Sequence, residues 1–410
     1  MNGKLVSNWS VLENVDRLAM LQLALSRTVE VACATLIAEP STYQKIHIGR
    51  LIWQLARAVN LVSSGIHDLI GNEAQALPAS PYYATAIRSI VTLPSAGLRL
   101  DAIEHILLPD LSRAVDNHLA GTSDMSDAVT REMLLLVRQI LHSAAGNGRM
   151  EHSDASWTEM ALLLRRSGGV YGSATGQSDI SGLASLTGPV PFDPGRKPAR
   201  ESIFEVVDSA SSSGKAALLH SIVMGIEICA AEVCAEMIVT EAEAPWGLRF
   251  ELARQVADEV RHAEALILRM EELGGELGRW PIDLGVWTTF RLADGLLEKL
   301  MIQQRIGEGY GLDACYELRQ IYEDDGDPRS ARLIDYITSD EVRHVRIANR
   351  WLCELLDDPT EIDALEQRVI SKMVANGRPP AKCNQINVGG RLRAGFRSDE
   401  LEKYRTIGAR

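Results

Sequence analysis

The sequence predicts an all-α protein, with a four-helix bundle preceded by an additional N-terminal helical domain. Apolar residues recur at spacings of three and four over long segments, whereas the alternation of a β-strand is hard to find. A pentapeptide, Asp-Glu-Val-Arg-His, occurs at 258–262 and again at 340–344. The length of 410 residues exceeds the usual size of one domain, so we expect two.

Helical periodicity extends over most of the chain. The predicted helices are 10–38, 44–70, 97–119 and 125–144, followed by 203–240, 247–273, 284–323 and 329–356. Pro328 ends the seventh of them, because proline cannot continue a helix. Short connections between long helices favour antiparallel hairpins, and two hairpins form a four-helix bundle.

Changes in composition divide the chain into four parts. Residues 1–145 form the N-terminal helical domain, and 146–200, rich in Gly, Pro and Ser, form a connector that should be mostly loop. Residues 201–375 hold the four-helix bundle. Residues 376–410, rich in Gly, Pro and Asn, are expected to wrap around it as a C-terminal tail.

The overall composition excludes several classes of protein. A net charge of −13 disfavours nucleic acid or an anionic membrane as the main partner, because both select basic surfaces. The six cysteines form no Cys-x-x-Cys pair, which argues against zinc ribbons, iron–sulfur sites and a disulfide framework. There is no signal-like start and no run of about 18 apolar residues, so the expected location is the cytoplasm.

The repeated pentapeptide predicts a metal site. Residues three apart on a helix lie on the same face, so Glu259 and His262 can bind one ion, as can Glu341 and His344. Carboxylate and imidazole ligands together suit iron or manganese. Two Glu-x-x-His motifs, with one glutamate from each of two further helices, are the ligand set of ferritin-like dimetal bundles.

Helix lengths suggest the two remaining glutamates. Glu308 lies about as many residues before the turn at Pro328 as Glu341 lies after it. Because a helix rises ~1.5 Å per residue, the two side chains should lie at about the same height in the hairpin. Glu227 has a similar relation to Glu259 across the break near residue 245, and it is our choice for the first helix. Glu232 and Glu236 remain alternatives at this stage.

Asp258 and Asp340 precede the two predicted glutamate ligands. A ligating imidazole normally donates its second N–H to a carboxylate, so each aspartate could orient the histidine of the opposite helix. A helix-surface carboxylate is the equally weighted alternative.

The N-terminal half contains a faint echo of the same pattern. Glu30 and Gln54 lie in surroundings that resemble those of Glu227 and Gln255. In this comparison Ala58 and Leu61 replace the ligands Glu259 and His262. The pattern therefore predicts a degenerate, metal-free repeat.

From about 215 to 405 the chain resembles a bacterial ferritin-like family catalogued as a domain of unknown function. The resemblance rests on Glu227 with its neighbours, on both Asp-Glu-x-x-His motifs, on 308–313, and on the closing segment 378–396. It supports Glu308 as a ligand. The chain departs from the family at Gly225, where a histidine is common, and at 309–310, where Gly-Tyr replaces Ala-Arg.

Together these features predict a non-haem diiron oxidase or oxygenase. The metal pair would be two iron ions, or one manganese and one iron, with these ligands: Glu227, Glu259, His262, Glu308, Glu341 and His344. Dioxygen would be the co-substrate. The substrate would be a small organic compound, for instance of specialised metabolism. Electrons would come from an external donor or from the substrate, because no nucleotide-binding fingerprint occurs. The alternative is an iron-binding, ferroxidase-type protein without an organic substrate. The oligomeric state is left open, with a homodimer as one option.

Overall fold

The computed structural model describes residues 5–72, 81–145, 155–172, 211–358 and 360–407. All regular elements in these ranges are helices, and none is a β-strand, so the predicted all-α class is confirmed. The chain divides into two compact units. The first contains the helices up to residue 172 together with Ile238–Thr240, and the second contains the other described residues.

Seven helices of the first unit lie in the described residues. They are α1 (Val11–Ala38), α2 (Thr42–Ile70), α3 (Pro81–Val91), α4 (Ala96–Ala102), α5 (Leu108–Gly121), α6 (Ala128–Ala144) and α7 (Ala155–Ser167). A π-helical segment, Ile103–Leu107, joins α4 to α5 without a break. The apolar faces of α1 and α2 pack against each other, and α6 packs against α2 and α5.

The second unit begins with α8 (Ser212–Ile222) and contains most of α9 (Ile228–Thr240). Its other helices are α10 (Trp246–Glu272), α11 (Gly285–Phe290), α12 (Gly295–Lys299), α13 (Glu308–Asp324), α14 (Pro328–Leu355), α15 (Glu361–Ala375), α16 (Val388–Arg393) and α17 (Ser398–Ile407). Two π-helical segments lie within these helices, Val223–Glu227 between α8 and α9 and Leu300–Gly307 between α12 and α13.

The helices differ from the predicted ones in several places. The predicted helix 284–323 is interrupted, because α11 ends at Phe290 and the chain restarts as α12 at Gly295. No helix was predicted at the positions of α3, α15, α16 and α17. Part of the connector, 155–172, is described and contains α7, whereas a loop was expected there; the rest of 146–200 and the start of predicted helix 203–240 lie outside the described residues. Short amphipathic helices among Gly and Ser residues give too weak a periodicity to be recognised.

The C-terminal segment packs on the hairpin formed by α13 and α14. Apolar side chains of α13 and α14 join a buried cluster with Ala394, Phe396 and Leu401. The buried guanidinium of Arg391 donates two hydrogen bonds to the buried carboxylate of Asp313 and one to the carbonyl of Gly309. The tail is therefore fixed to α13 by both apolar and ionic contacts.

The two units share an order of elements. Within the described residues, each has two long helical stretches, a short helix, a helix containing a π segment, a further long helix and one helix after it. The second unit differs in a π segment within its first stretch and in the additional helices α16 and α17. The helices α6 and α14 both begin after an aspartate, Asp127 and Asp327, 200 positions apart (327 minus 127). At the same offset, Leu141 and Ala144 stand where the second unit has Glu341 and His344.

Helix α1 is the one described helix that is long and apolar enough to cross a membrane. Of its most apolar 18-residue window, 72% is buried inside the protein, as in the core helix of a globular domain. It is weak evidence for a membrane span.

Candidate metal centre

Four helical stretches of the second unit bring six buried ligand-type side chains together. Glu227 ends the first π segment and Glu308 directly follows the second. The others belong to α10 (Glu259 and His262) and α14 (Glu341 and His344). π segments add a residue to a helical turn, which changes the direction of the side chains beside them, and they occur often at functional sites.

The six side chains form two groups that could each hold a metal ion. One consists of Glu259, Glu308, Glu341 and His344, and the other of Glu227, Glu259 and His262, with all ligand atoms of a group within 4.8 Å of one another. Every member is at most 6% exposed. The structure therefore brings together all six residues that the sequence proposes as ligands.

Two glutamates lie between the two histidines. The carboxylate of Glu259 has one oxygen 3.2 Å from Nδ1 of His344 and the other 3.6 Å from Nδ1 of His262. Glu341 does the same from the opposite helix, at 3.5 Å from His344 and 3.8 Å from His262. Carboxylates placed in this way can each contact two ions at once.

Each aspartate lies beside the histidine of the opposite helix. Nε2 of His262 is 3.2 Å from the Asp340 carboxylate, and Nε2 of His344 is 3.7 Å from that of Asp258. The Nδ1 atoms meanwhile face the glutamates. This geometry fits the orienting role considered for the aspartates, because Nδ1 of each ring stays directed at the cluster.

Two buried glutamines, which the sequence did not single out, also contact the cluster. Gln255 donates hydrogen bonds to Glu259 and Glu308, and Gln303 donates one to Glu308. Gln255 lies one helical turn before Glu259, a spacing that could have identified it. Gln303 lies in the π segment Leu300–Gly307, where side chains point in directions that regular α-helical spacing does not predict. The sequence alone therefore does not place it beside Glu308.

Burial and mutual repulsion disfavour the charged forms of two carboxylates. Burial raises the pKa of Glu227 to about 8, against a smaller opposing effect of His262. Burial, followed by the charges of Glu259 and Glu341, raises the pKa of Glu308 well above its ordinary value. Burial also opposes ionisation of Glu259, but His344 and His262 outweigh it and lower its pKa.

The histidines show the complementary shift. Burial would lower their pKa values, but the surrounding carboxylates outweigh it. Asp340, Glu227 and Glu259 raise the pKa of His262 well above 6.5, and Glu259 and Glu341 do the same for His344. The cluster thus attracts positive charge, which protons supply when no metal does.

The donor set fits divalent metal ions. Two such ions would neutralise the four carboxylates, with both imidazoles neutral. Neither ring nitrogen of His344 makes a directed hydrogen bond within the described residues, nor does Oε2 of Glu341. Buried polar atoms normally have hydrogen-bond partners. These atoms without one therefore favour a cation as their partner, to which a carboxylate oxygen and an imidazole nitrogen can each donate a lone pair.

The alternative ligands of the first helix have other partners. Glu232 accepts a hydrogen bond from the indole N–H of Trp287, and Glu236 accepts one from Arg291. Neither belongs to a group that could hold a metal. Glu227 is therefore the residue of this helix that the structure places in the cluster.

Gly225, where the resembling family often has histidine, lies in the π segment that ends at Glu227. A Cβ atom there would lie 2.8 Å from the carbonyl oxygen of Asp283, which is too close for any side chain. The segment between α10 and α11, which contains Asp283, thus approaches the helix so closely at Gly225 that only glycine fits at this position.

Comparison with known proteins agrees with the extent of the second unit. The family model described as "Protein of unknown function (DUF455)" matches residues 186–402, slightly more than half of the chain. An uncharacterized protein of Haemophilus influenzae is 26% identical over 150 residues, which cover 36% of this chain and 51% of that protein. The match thus spans about half the length of the relative. No solved structure matches significantly. The chain belongs to the DUF455 family of proteins of unknown function.

Proposed function

We propose that this protein is a ferritin-like, non-haem diiron oxidase or oxygenase that uses dioxygen to oxidise a small organic substrate. The observation that carries the proposal is the pair of carboxylates, Glu259 and Glu341, each lying between the same two histidines. Two Glu-x-x-His motifs and two single glutamates on four helices are the ligand set of ferritin-like dimetal proteins.

The ligand chemistry supports iron. Carboxylates with few imidazoles and no thiolate favour iron or manganese over zinc and copper. Glu227 and Glu259 would hold one ion with His262, whereas Glu259, Glu308 and Glu341 would hold the other with His344. Bound in a buried cluster of this kind, a pair of iron ions supplies electrons for the reduction of dioxygen.

The chain's own residues prepare the site. Asp340 and Asp258 keep Nδ1 of each histidine directed inward. Gln255 and Gln303 hold the carboxylate of Glu308 in place. Burial of all six ligands excludes bulk water, which strengthens electrostatic interactions inside the site. Electrons for repeated turnover would come from a separate reductase or from the substrate.

Metal loading tests the proposal. Protein purified from iron-supplemented cells should contain about two iron ions per chain, as the two groups of ligands require. Glu259→Ala should lose both, and His344→Ala should lose at least the ion that His344 would hold. Glu272→Ala, at the end of α10, is the matched control: it removes surface ion pairs with Arg269 and Arg329 and should keep both ions. Less than one metal ion per chain in the wild type, or equal content in all variants, would refute the dimetal centre.

Stepwise addition of Fe(II) under oxygen separates the enzyme from an iron-storage or ferroxidase protein. The enzyme should oxidise Fe(II) up to the content of its own site and then stop until an organic substrate or reductant is supplied. A ferroxidase would continue to oxidise added Fe(II) far beyond that amount. The second result would replace the oxygenase by the metal-handling function.

A further inference from the structure

One side of α13 is accessible to solvent next to the buried cluster. Gly311 lies three residues after Glu308, on a neighbouring part of the same helix surface. It is half-buried, whereas all six ligand side chains are buried. Solvent therefore reaches the helix surface at Gly311, next to ligand side chains that are themselves buried.

Gly311 leaves a space directed at two of the ligands. A Cβ atom at this position would lie 3.6 Å from Oε2 of Glu341 and 3.9 Å from Oε2 of Glu308. Leaving aside its two chain neighbours and the adjacent backbone of its own helix, no other heavy atom of the described residues would lie within 4 Å. Protein interiors are close-packed, so a position with so few neighbours beside a buried cluster is unusual.

The neighbouring glycine of α13 is different. The three heavy atoms nearest to a Cβ atom on Gly309 would belong to the guanidinium of Arg391, at 3.4–3.7 Å. Gly309 is also buried. A side chain at 309 would therefore meet Arg391 first, whereas one at 311 would meet the ligands first.

An unsatisfied ligand atom faces this space. Oε2 of Glu341 is buried and makes no hydrogen bond within the described residues, and it is the atom nearest to the absent Cβ of Gly311. A buried carboxylate oxygen without a hydrogen bond is costly. A metal ion held by this oxygen would therefore be approached most directly from the side of the cluster that Gly311 leaves open.

Cys315 lies one turn beyond Gly311 on α13, at a position that faces the same way as Glu308. It is half-buried. Burial and the charges of four cluster carboxylates, Glu341 first among them, raise the pKa of its thiol well above 9. Cys315 is therefore near enough to the carboxylates of the cluster to feel their charge.

We propose that a small exogenous ligand of the metal ions, of the size of dioxygen or azide, reaches them past Gly311 and Cys315, and that glycine at 311 keeps this route open. The inference rests on the proposed function, since it needs bound metal. It assigns Gly311 a role in ligand access. The small ligand would reach the metal ions from the side of the second unit on which α13 lies.

Azide binding to iron-loaded protein tests the route without reference to a substrate. Wild type, Gly311→Ala, Gly311→Leu and the matched control Gly309→Ala are loaded with iron and mixed rapidly with azide, and the rate of the absorption change is followed at several azide concentrations. We expect unchanged iron content in all four proteins. The association rate constant of azide should fall at least about tenfold in Gly311→Leu, because the side chain raises the barrier to entry, and less in Gly311→Ala. Gly309→Ala should resemble the wild type.

Cys315 supplies a second pair of variants. Cys315→Leu should narrow the route and slow azide association, whereas Cys315→Ser, similar in size, should not. If Gly311→Leu loses iron, Gly311→Ala and the Cys315 pair decide the question. Equal association rate constants of azide in all iron-loaded variants would overturn the route and leave the metal centre standing. A wild type that holds no iron would overturn both proposals.

Discussion

Oε1 of Glu259 lies 3.2 Å from Nδ1 of His344, a residue of the opposite helix. Its second oxygen faces His262, one turn further along its own helix. Glu259 is consequently the one residue common to the two groups that could hold a metal, whereas Glu227 belongs to a single group. The two glutamates should therefore differ in what their removal costs.

Replacing Glu259 by alanine should abolish binding of both metal ions, whereas Glu227→Ala should leave the ion beside His344 in place. Glu259→Ala is expected to contain close to no metal and Glu227→Ala about one ion per chain, by elemental analysis after anaerobic loading.

Glu232→Gln is the matched control for this pair, being a buried carboxylate of the same helix outside the cluster. A glutamine oxygen can still accept the hydrogen bond of Trp287, so this variant should retain the wild-type metal content. Full loss of metal from Glu232→Gln, with retention in Glu227→Ala, would contradict the ligand assignment.

Replacing Asp340 by asparagine should weaken metal binding without abolishing it. The amide keeps the shape of Asp340 but loses the charge that faces Nε2 of His262. Loss of such a contact beside a ligating histidine typically lowers metal affinity about 10- to 100-fold. Competition with a chelator of known affinity measures the change.

Asp340 also forms an ion pair with Arg261. The variant Arg261→Gln therefore serves as the control. It removes this pair and the pair of Arg261 with Asp258, and it leaves both aspartates beside their histidines. If Arg261→Gln weakened metal binding as much as Asp340→Asn, the orienting role of Asp340 would be excluded.

The stability of the metal-free protein should fall as the pH rises from about 6.5 to about 8. Burial raises the pKa of Glu227 from 4.5 to about 8, so in this window the folded state holds a proton that the unfolded chain has released. The raised pKa values of His262 and His344 act in the same direction above 6.5. The free energy of unfolding therefore decreases with pH.

Thermal unfolding of metal-free protein across this pH range measures the effect. Glu227→Gln, which mimics the protonated carboxyl group, should show a shallower decline. Bound metal replaces the protons, so the loaded protein should lose less stability, and metal binding at pH 7 should release protons. A melting temperature that rises with pH in the metal-free protein would contradict the assigned shifts.

Arg391→Leu should destabilise the second unit strongly. The substitution leaves the Asp313 carboxylate buried without its guanidinium partner, and breaking a buried ion pair in this way costs about 3–5 kcal/mol. Chemical denaturation followed by circular dichroism measures the loss. Arg393→Leu, at an exposed position of the same short helix, should change the free energy of unfolding by no more than about 0.5 kcal/mol.

The sequence was sufficient for the helix class and for the residues of the cluster. A duplicated Glu-x-x-His motif with its spacing on a helix identifies four side chains, and the lengths of hairpins place Glu308 and Glu227 at the same level. Helical phase could not separate Glu227 from Glu232, because the helix is apolar on nearly every side. The π segment that ends at Glu227 changes this phase, and periodicity does not reveal such a segment.

Other features depended on contacts between distant residues. Gln303 contacts Glu308 through a π segment, and Arg391 meets Asp313 across 78 positions of sequence (391 minus 313). No local pattern encodes such pairs. The space at Gly311 could not be predicted either, because it depends on how closely the neighbouring helices pack against α13.

The shared order of helices in the two units has a consequence for the buried groups of α14. At the places of Glu341 and His344 the first unit carries Leu141 and Ala144, both buried. Apolar side chains therefore suffice to pack a long helix at these two positions. A buried carboxylate and imidazole there cost free energy of folding that helix packing alone does not demand.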